Sequence, residues 1–374
     1  WDLAALRERA VTDNVVTFLR QDLGRLSGDA RRCLSAAAWI GSRFDLSILG
    51  EVTGLPPADL LSALRGAIER RFVVPLEDDY WDDAAALGRN FGFAFVHDRI
   101  QQAFYGLTLE AELPTVRRRV GEHLLSCTPV EELPARIFEI VGHLNTGSAA
   151  LSTWEQREHL ARLQLLAANC ARDASAFSAA YTYFKLGAEL LADEGWARDY
   201  ALTLALNLGA AESACLIRDT AAMQQFATVA LARARGPLDR VKVQQVLILA
   251  KTLEFELKAA VGLAVAALRE LGLRLSPSPS KLDVMAGVLR TKLALAGKRV
   301  ETFSALPLAH DPLVKARAEV MANVISAAYR GVPNAFIRIV LETVRLSVQH
   351  GNTPASGFAY TCYALILSGA LGDI

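Results

Sequence analysis

This sequence carries no excess of charge of either sign, few cysteines and no long hydrophobic run. Its 40 Lys and Arg balance 40 Asp and Glu over 374 residues, so no overall basic field attracts nucleic acid or anionic lipid. The apolar runs are shorter than the stretch of about 20 residues that a membrane-spanning helix needs. We therefore expect neither a nucleic-acid partner nor a membrane partner.

The five cysteines are scattered and form no CxxC pair. They lie among apolar residues of helical spacing, which predicts reduced thiols in the core of a cytosolic protein. The sequence also has no signal peptide. We expect a cytoplasmic location and no disulfide framework. The cysteines are Cys33, Cys127, Cys170, Cys215 and Cys362.

Motifs of known chemistry are missing as well. Gly297-Lys298 is followed by Arg299, and position 292 is Lys rather than Gly, so the stretch is not a phosphate-binding P-loop. There is no GxSxG or HExxH, and no protein-kinase signature occurs. His123, His143 and His159 lack the spacing of a zinc site. We expect no catalytic site, no metal site and no cofactor in this segment.

The first 127 residues predict a compact head of helices and strands. Ser27, Asp45 and Pro57 have the properties of helix starts, and Gly41 and Gly54 those of helix ends. Three helices followed by a two-stranded wing is the order of a winged helix-turn-helix. The predicted elements are a helix capped by Thr12 or Asp13, helices ending at Gly41 and Gly54, a helix Ala58–Arg71, the strands Phe72–Leu76 and Phe91–Val96, and an acidic loop, Glu77–Asp83, between the strands.

Beyond Thr108 the apolar spacing is helical almost throughout. From about Glu155 onward, three helix pairs follow each other at a period of about 34 residues, as in tetratricopeptide repeats. The linker Ser276–Ser280 alternates serine with proline and interrupts the helices. Four further helices are predicted at Leu282–Ala296, Leu313–Tyr329, Ala335–His350 and from Ala355 onward.

The sequence thus predicts a mainly α fold, with a winged-helix head followed by an α-solenoid of tetratricopeptide-like helical hairpins. We expect the head at 1–127, the first repeats at 128–275, and a continuation at 276–374. The last apolar helix lacks a polar capping face, so the array is expected to stop before its natural end.

Several stretches together resemble a known family. They are Thr12–Val16, Phe44–Leu46, Phe95–Ala103, Leu268–Leu273 before the proline-rich turn, and Tyr329 through Gly351-Asn352. In this order they resemble the region behind the ATPase domain of large bacterial signalling proteins. Those proteins are STAND-type (AAA-like) ATPases fused to a Ser/Thr kinase, and often to GAF and histidine-kinase modules. The resemblance implies a winged-helix and sensor segment whose parent protein uses ATP or ADP and Mg.

His97 and Asp98 are the candidate site. In related switch ATPases, a His-Asp pair lies at this strand-to-helix turn, and its imidazole contacts the β-phosphate of bound ADP. The resemblance therefore implies ADP-phosphate sensing by His97 and Asp98 in the full-length protein. The chemistry is suitable, because an imidazole at a helix start can meet an anion beside free backbone N–H groups. Asp98 would then be the N-cap and stabilise the start of the helix. The alternative is that both residues only cap the helix.

Other charged groups suggest weaker alternatives. Arg65, Arg70 and Arg71 could face DNA, but the acidic wing would repel phosphates. The acids of the wing lack the spacing and the glycine of an EF-hand calcium loop. Arg117-Arg118-Arg119 indicates a solvated helix face or a docking site for an acidic partner.

We therefore expect a regulatory and interaction segment. A protein or peptide would bind the concave face of the repeats, and the signal would pass to an upstream ATPase domain and fused kinase modules. One alternative is the same region of a LuxR-like transcriptional activator. Another, an enzyme in its own right, lacks any supporting motif.

Overall fold

The computed structural model describes residues 26–76, 90–297 and 300–368. The predicted first helix and the acidic loop lie outside these residues. Within them the chain forms sixteen α-helices and three short strands, so the expectation of a mainly α fold is confirmed. No helix among the described residues is both long and apolar enough to cross a bilayer. The chain divides into two compact units between Ala167 and Ala168; the predicted borders at 127 and 275 remain predictions.

The first unit combines short helices with a small sheet. Its helix starts follow the predicted caps: Ser27 Oγ accepts from the N–H of Ala30, and the Asp45 carboxylate accepts from the N–H of Ile48. The elements are α1 (Gly28–Ile40), β1 (Arg43–Asp45), α2 (Leu46–Thr53), α3 (Pro57–Glu69), β2 (Val73–Pro75), β3 (Gly92–Phe95), α4 (Asp98–Tyr105), α5 (Leu113–Cys127) and α6 (Leu133–Thr146).

The sheet is antiparallel, in the order β1-β3-β2. Phe44 of β1 lies opposite Phe93 of β3, and Val73 of β2 lies opposite Phe95. The sequence predicted β2 and β3 but not β1, because three residues are too few to show an alternating pattern. Phe93 and Phe95 are buried and alternate with half-buried residues, so one face of the sheet belongs to the core.

The second unit is helical in every described element that it contains apart from short turns. Helix α7 (Trp154–Asp173) includes the division between the units. The other helices are α8 (Phe177–Arg198), α9 (Tyr200–Leu216), α10 (Thr220–Arg233), α11 (Pro237–Leu253), α12 (Leu257–Glu270), α13 (Lys281–Leu295), α14 (Pro312–Gly331), α15 (Pro333–His350) and α16 (Ser356–Ile366). The predicted helices are therefore present, with ends shifted by a few residues at most.

Three successive helix pairs are closed by the same turn. Ser175, Arg218 and Phe255 each adopt a left-handed backbone conformation, with φ of 60°, 65° and 61°. In each turn the N–H of the next residue donates to a carbonyl five residues back, at 2.8 to 2.9 Å. This bond satisfies a carbonyl that the helix end would otherwise leave unpaired. The turns lie 43 and 37 residues apart, longer than the predicted period of about 34.

One helix departs from the simple succession of pairs. Helix α12 packs against α14, whereas α13, which follows the Ser/Pro linker, packs against α15. The linker is thus followed by a helix set beside the array rather than by the next member of it. A capping box starts α13, because Ser280 and Asp283 bond each other's backbone N–H groups.

The α8–α9 crossing depends on a glycine. A Cβ at Gly209 of α9 would overlap the buried ring of Phe184 on α8. We expect Gly209→Ala to destabilise the protein by about 1–3 kcal/mol, because the ring cannot move without displacing its neighbours.

Gly262 provides the matched control, since a Cβ there meets nothing within 4 Å. Gly262→Ala in α12 should be neutral or stabilising by up to about 1 kcal/mol. Urea unfolding followed by circular dichroism measures both. Equal midpoints for the two variants would contradict the close approach.

Candidate functional site

His97 lies where β3 turns into α4. It is extended, with φ −153° and ψ 143°, and is the N-cap residue of α4. Its Nδ1 accepts a hydrogen bond of 3.1 Å from the backbone N–H of Arg99. The expectation that Asp98 is the N-cap is therefore wrong. Asp98 is the first residue of the helix, where its carboxylate still interacts favourably with the helix dipole.

The cap determines which hydrogen bond His97 can still make. Because Nδ1 accepts from the backbone, the proton of the neutral imidazole resides on Nε2. Nε2–H is then a donor, and the side chain is exposed. His97 can thus hold the helix start and donate to an anion at the same time. Capping and anion contact, which the sequence presented as alternatives, are compatible in this geometry.

The position of α4 is fixed by its buried face. Phe104 is fully buried and packs against Phe72 and Phe95, with ring centroids 5.9 and 6.0 Å apart. Gln101, also buried, donates from Nε2 to the carbonyl of Ala38 at 2.9 Å. These contacts anchor α4 to the sheet and to α1, so the orientation of His97 follows the packing of the head.

A second candidate site is a pocket between α14 and α16. Its volume of about 790 Å³ falls in the range of small-ligand and peptide-anchor pockets. Its floor is apolar, with Ala318, Ala322 and Ile325 from α14 and Ala359 from α16, while Phe358 lies at its side, more than half exposed. Polar and charged side chains also line the pocket, among them His310, Lys315, Glu319 and Asn323.

A neighbouring pocket continues this surface. It has a volume of about 430 Å³ and lies along α9 and α11, with Leu208, Val246 and Leu249 as its apolar lining. Asn323 lines both pockets and donates from Nδ2 to Gln245 Oε1 at 3.0 Å. We call the combined surface, formed by α9, α11, α14 and α16, the inner groove. Its charges are of both signs, with Glu212 and Glu319 against Lys242 and Lys315.

Asn352 holds the end of the inner groove together. Its Nδ2 donates to the carbonyl of Phe303 at 2.7 Å, and its Oδ1 accepts from the hydroxyl of Tyr360 at 2.8 Å. Its backbone bonds Pro307 and Ala309. Burial raises the pKa of Tyr360, so the hydroxyl stays protonated and remains a donor. In the sequence, Gly351-Asn352 stands out only as part of the family resemblance.

Asn352 can bond this loop because the residue before it, Gly351, is a glycine. The φ of Gly351 is 104°, in the left-handed region, and a Cβ there would overlap the carbonyl of Pro307. Glycine therefore allows the segment before α16 to approach the loop before α14, and Asn352 then bonds that loop.

The arginine run on α5 is used structurally. Arg117 donates to the carbonyl of Gly142 at 2.6 Å and stacks over Trp39, and Arg119 donates to the carbonyl of Val52 at 2.8 Å. Arg118 pairs with Glu122 on its own helix. The expectation of a solvated face is therefore wrong for Arg117 and Arg119, whose guanidinium groups tie α5 to neighbouring elements.

The comparisons with known proteins give one similarity. No protein-family model matches the chain, and no solved structure matches it at a significant level. The chain is 22% identical, over an alignment of 439 residues, to hybrid signal transduction histidine kinase G of Dictyostelium discoideum. The match covers 98% of the chain but 13% of that protein. This similarity associates the chain with signal transduction and leaves its finer family open.

The role of Asn352 can be tested by removing its side-chain bonds. Asn352→Ala should destabilise the protein by about 1–3 kcal/mol, because the buried Phe303 carbonyl and the half-buried Tyr360 hydroxyl lose their hydrogen bonds. Backbone amides at 303–309 should exchange faster with deuterium in this variant.

Tyr360→Phe is the control, since it removes one of the two side-chain bonds and should have a smaller effect. Unchanged exchange at 303–309 in Asn352→Ala would show that the loop is held by other contacts.

Proposed function

We propose that this chain is the regulatory and protein-interaction segment of a larger signalling protein, a STAND-type ATPase fused to a protein kinase. A protein or peptide would bind the inner groove, and its binding would be coupled to the ATPase and the kinase. The observation that carries the proposal is the pair of neighbouring pockets that make up the inner groove, which share Asn323 and are lined by charges of both signs, the larger pocket having an apolar floor. Such surfaces of helical arrays bind extended or helical segments.

Support for a winged-helix head comes from the order of its elements. Strand β1 lies between the first two helices and pairs with β3, the second strand of the hairpin. Three helices with a β1-β3-β2 sheet are the elements that the proposed winged-helix head requires, and they support that part of the proposal.

Support for tetratricopeptide-like repeats comes from the shared turn. Equivalent left-handed residues close three hairpins, which is the local regularity expected of a repeated supersecondary unit. The longest spacing, of 43 residues, is accommodated by the long second helix α8, which has 22 residues and an irregular backbone at Ala192. We therefore describe the repeats as tetratricopeptide-like rather than as standard members.

The nucleotide role of the head rests on His97. Its exposed imidazole caps α4 through Nδ1 and keeps Nε2–H as a donor, as a contact to the phosphate of ADP requires. ATP or ADP and Mg would be bound by the ATPase domain of the parent protein, in a cytoplasmic location.

Similarity to a signal-transduction histidine kinase favours the kinase-fused parent over a LuxR-like transcriptional activator. Kinase modules on either side of this segment in the full-length protein would support the kinase-fused parent. A C-terminal DNA-binding domain would support the LuxR-like activator.

The groove can be tested with selected peptides. Peptides that bind the chain would be obtained from a random display library and their affinities measured by fluorescence polarisation. Ala322→Asp places a charge on the apolar floor, and we expect it to weaken binding by about tenfold or more, because burying an unpaired carboxylate costs over 1.4 kcal/mol.

Ala266→Asp is the matched control, because Ala266 is an exposed residue in the middle of α12, outside the groove lining. It should leave the affinity unchanged. Peptides that bind both variants as tightly as the unchanged chain would place the interaction elsewhere.

The nucleotide role is tested in the full-length protein by the release rate of a fluorescent ADP analogue. His97→Ala removes both the cap and the imidazole, whereas His97→Asn keeps a good N-cap and removes only the imidazole. We expect both variants to release ADP about tenfold faster, as loss of one charge-assisted hydrogen bond implies.

Faster release in His97→Ala alone would assign His97 to capping. Unchanged release in both variants would exclude the phosphate contact.

A further inference from the structure

Cys127, His123 and Glu51 form a linked cluster in the first unit. His123 and Cys127 lie one turn apart on α5, and the thiol Sγ is 3.4 Å from His123 Nε2. On the other side of the ring, Nδ1 lies 2.5 Å from Oε2 of Glu51, a residue of α2. The cluster thus consists of a nucleophile, a base and a carboxylate, with the imidazole between the thiol and the carboxylate. Two helices, α5 and α2, position it.

The carboxylate determines the tautomer of the imidazole. Glu51 accepts from Nδ1–H, so Nε2 of neutral His123 carries the lone pair and faces the thiol. In this arrangement Nε2 is placed to act as the base for the thiol, and the Glu51 carboxylate fixes the orientation of the imidazole. The His123 side chain is 16% exposed, so this pairing is partly shielded from water.

Cys127 also differs from the other cysteines in its surroundings. Cys33, Cys215 and Cys362 are buried, and burial raises the pKa of each thiol, to about 11 for Cys33. Cys170 is half-buried, and Cys127 is exposed. The expectation that all five are core thiols is therefore wrong for Cys127, since its position at the last residue of α5 leaves it at the surface.

Other charged groups act on the same cluster. The carbonyls at the C-terminal end of α5 disfavour an anion at Cys127, which makes the imidazolium the main stabilising partner of a thiolate. Arg136 of α6 donates to Thr128 Oγ1, next to Cys127, at 3.3 Å. The charged or titratable side chains on the three helices that meet here are Glu51 of α2, Arg117, Arg118, Arg119, Glu122 and His123 of α5, and Arg136, Glu139 and His143 of α6.

We propose that Cys127 is a reactive thiol, activated by His123 and Glu51, and a site of oxidation by hydroperoxides. The thiolate sulfur attacks one peroxide oxygen, so that an S–O bond forms as the O–O bond breaks. Cysteine is oxidised to a sulfenic acid, and the peroxide is reduced to water or an alcohol. The leaving oxygen takes the proton held by His123.

The activated state can be measured by alkylation. Iodoacetamide labels the 374-residue chain over a pH series, and peptide mass spectrometry follows each cysteine separately. At about pH 6.5, His123→Asn should label at Cys127 about tenfold more slowly than the unchanged chain, and the difference should narrow as the pH rises above about 9. Glu51→Gln should give an intermediate rate. Cys170 serves as the internal control, because its rate should not depend on His123 or Glu51.

Oxidation is tested with hydrogen peroxide and a dimedone probe for sulfenic acid. The adduct should form at Cys127 in the unchanged chain and fall by about tenfold in His123→Asn. His123→Gln is measured in parallel, and circular dichroism confirms that both variants fold. The same labelling rate and pH profile at Cys127 with and without the imidazole would overturn the proposal. So would a dimedone adduct that is as strong at Cys170.

Discussion

The second unit depends on how each helix end satisfies its last carbonyls while the chain reverses. One residue in the left-handed conformation, with a backbone bond that reaches five residues back, achieves both at Ser175, Arg218 and Phe255. Because the reversal is the same each time, the first helices α9 and α11 lie side by side and line one pocket with Asn323 of α14. The part of the inner groove along α9 and α11 thus depends on backbone hydrogen bonds at the turns as well as on its lining side chains.

In the first unit the comparable constraint is aromatic burial around a small sheet. Phe72, Phe95 and Phe104 bring β2, β3 and α4 together, and Gln101 adds a hydrogen bond to α1. These contacts set the direction in which α4 begins, and His97 is placed by that direction. A side chain held in this way suits the phosphate contact proposed for His97, since little conformational entropy is lost on binding when its orientation is already fixed.

Much of the secondary structure could be predicted from local chemistry. Ser27, Asp45 and Ser280 are good N-caps, prolines start several helices, and small residues allow helices to approach, so the helices were predicted to within a few residues. Features that depend on a distant partner could not be predicted in this way. Strand β1 forms because β3 offers it a free edge, and α13 lies against α15 although the sequence suggests a continuing array.

The candidate sites likewise have features that are local in the sequence and features that depend on a distant partner. By itself, the sequence determined that His97 stands at a strand-to-helix turn, because a short apolar strand, a polar pair and a helical period are all local. Only the tertiary structure decided that His97 rather than Asp98 is the cap, that Asn352 joins α16 to the loop before α14, and that Glu51 of α2 meets His123 beside Cys127. Each of these depends on which faces are buried together, and sequence spacing specifies a face without specifying its partner.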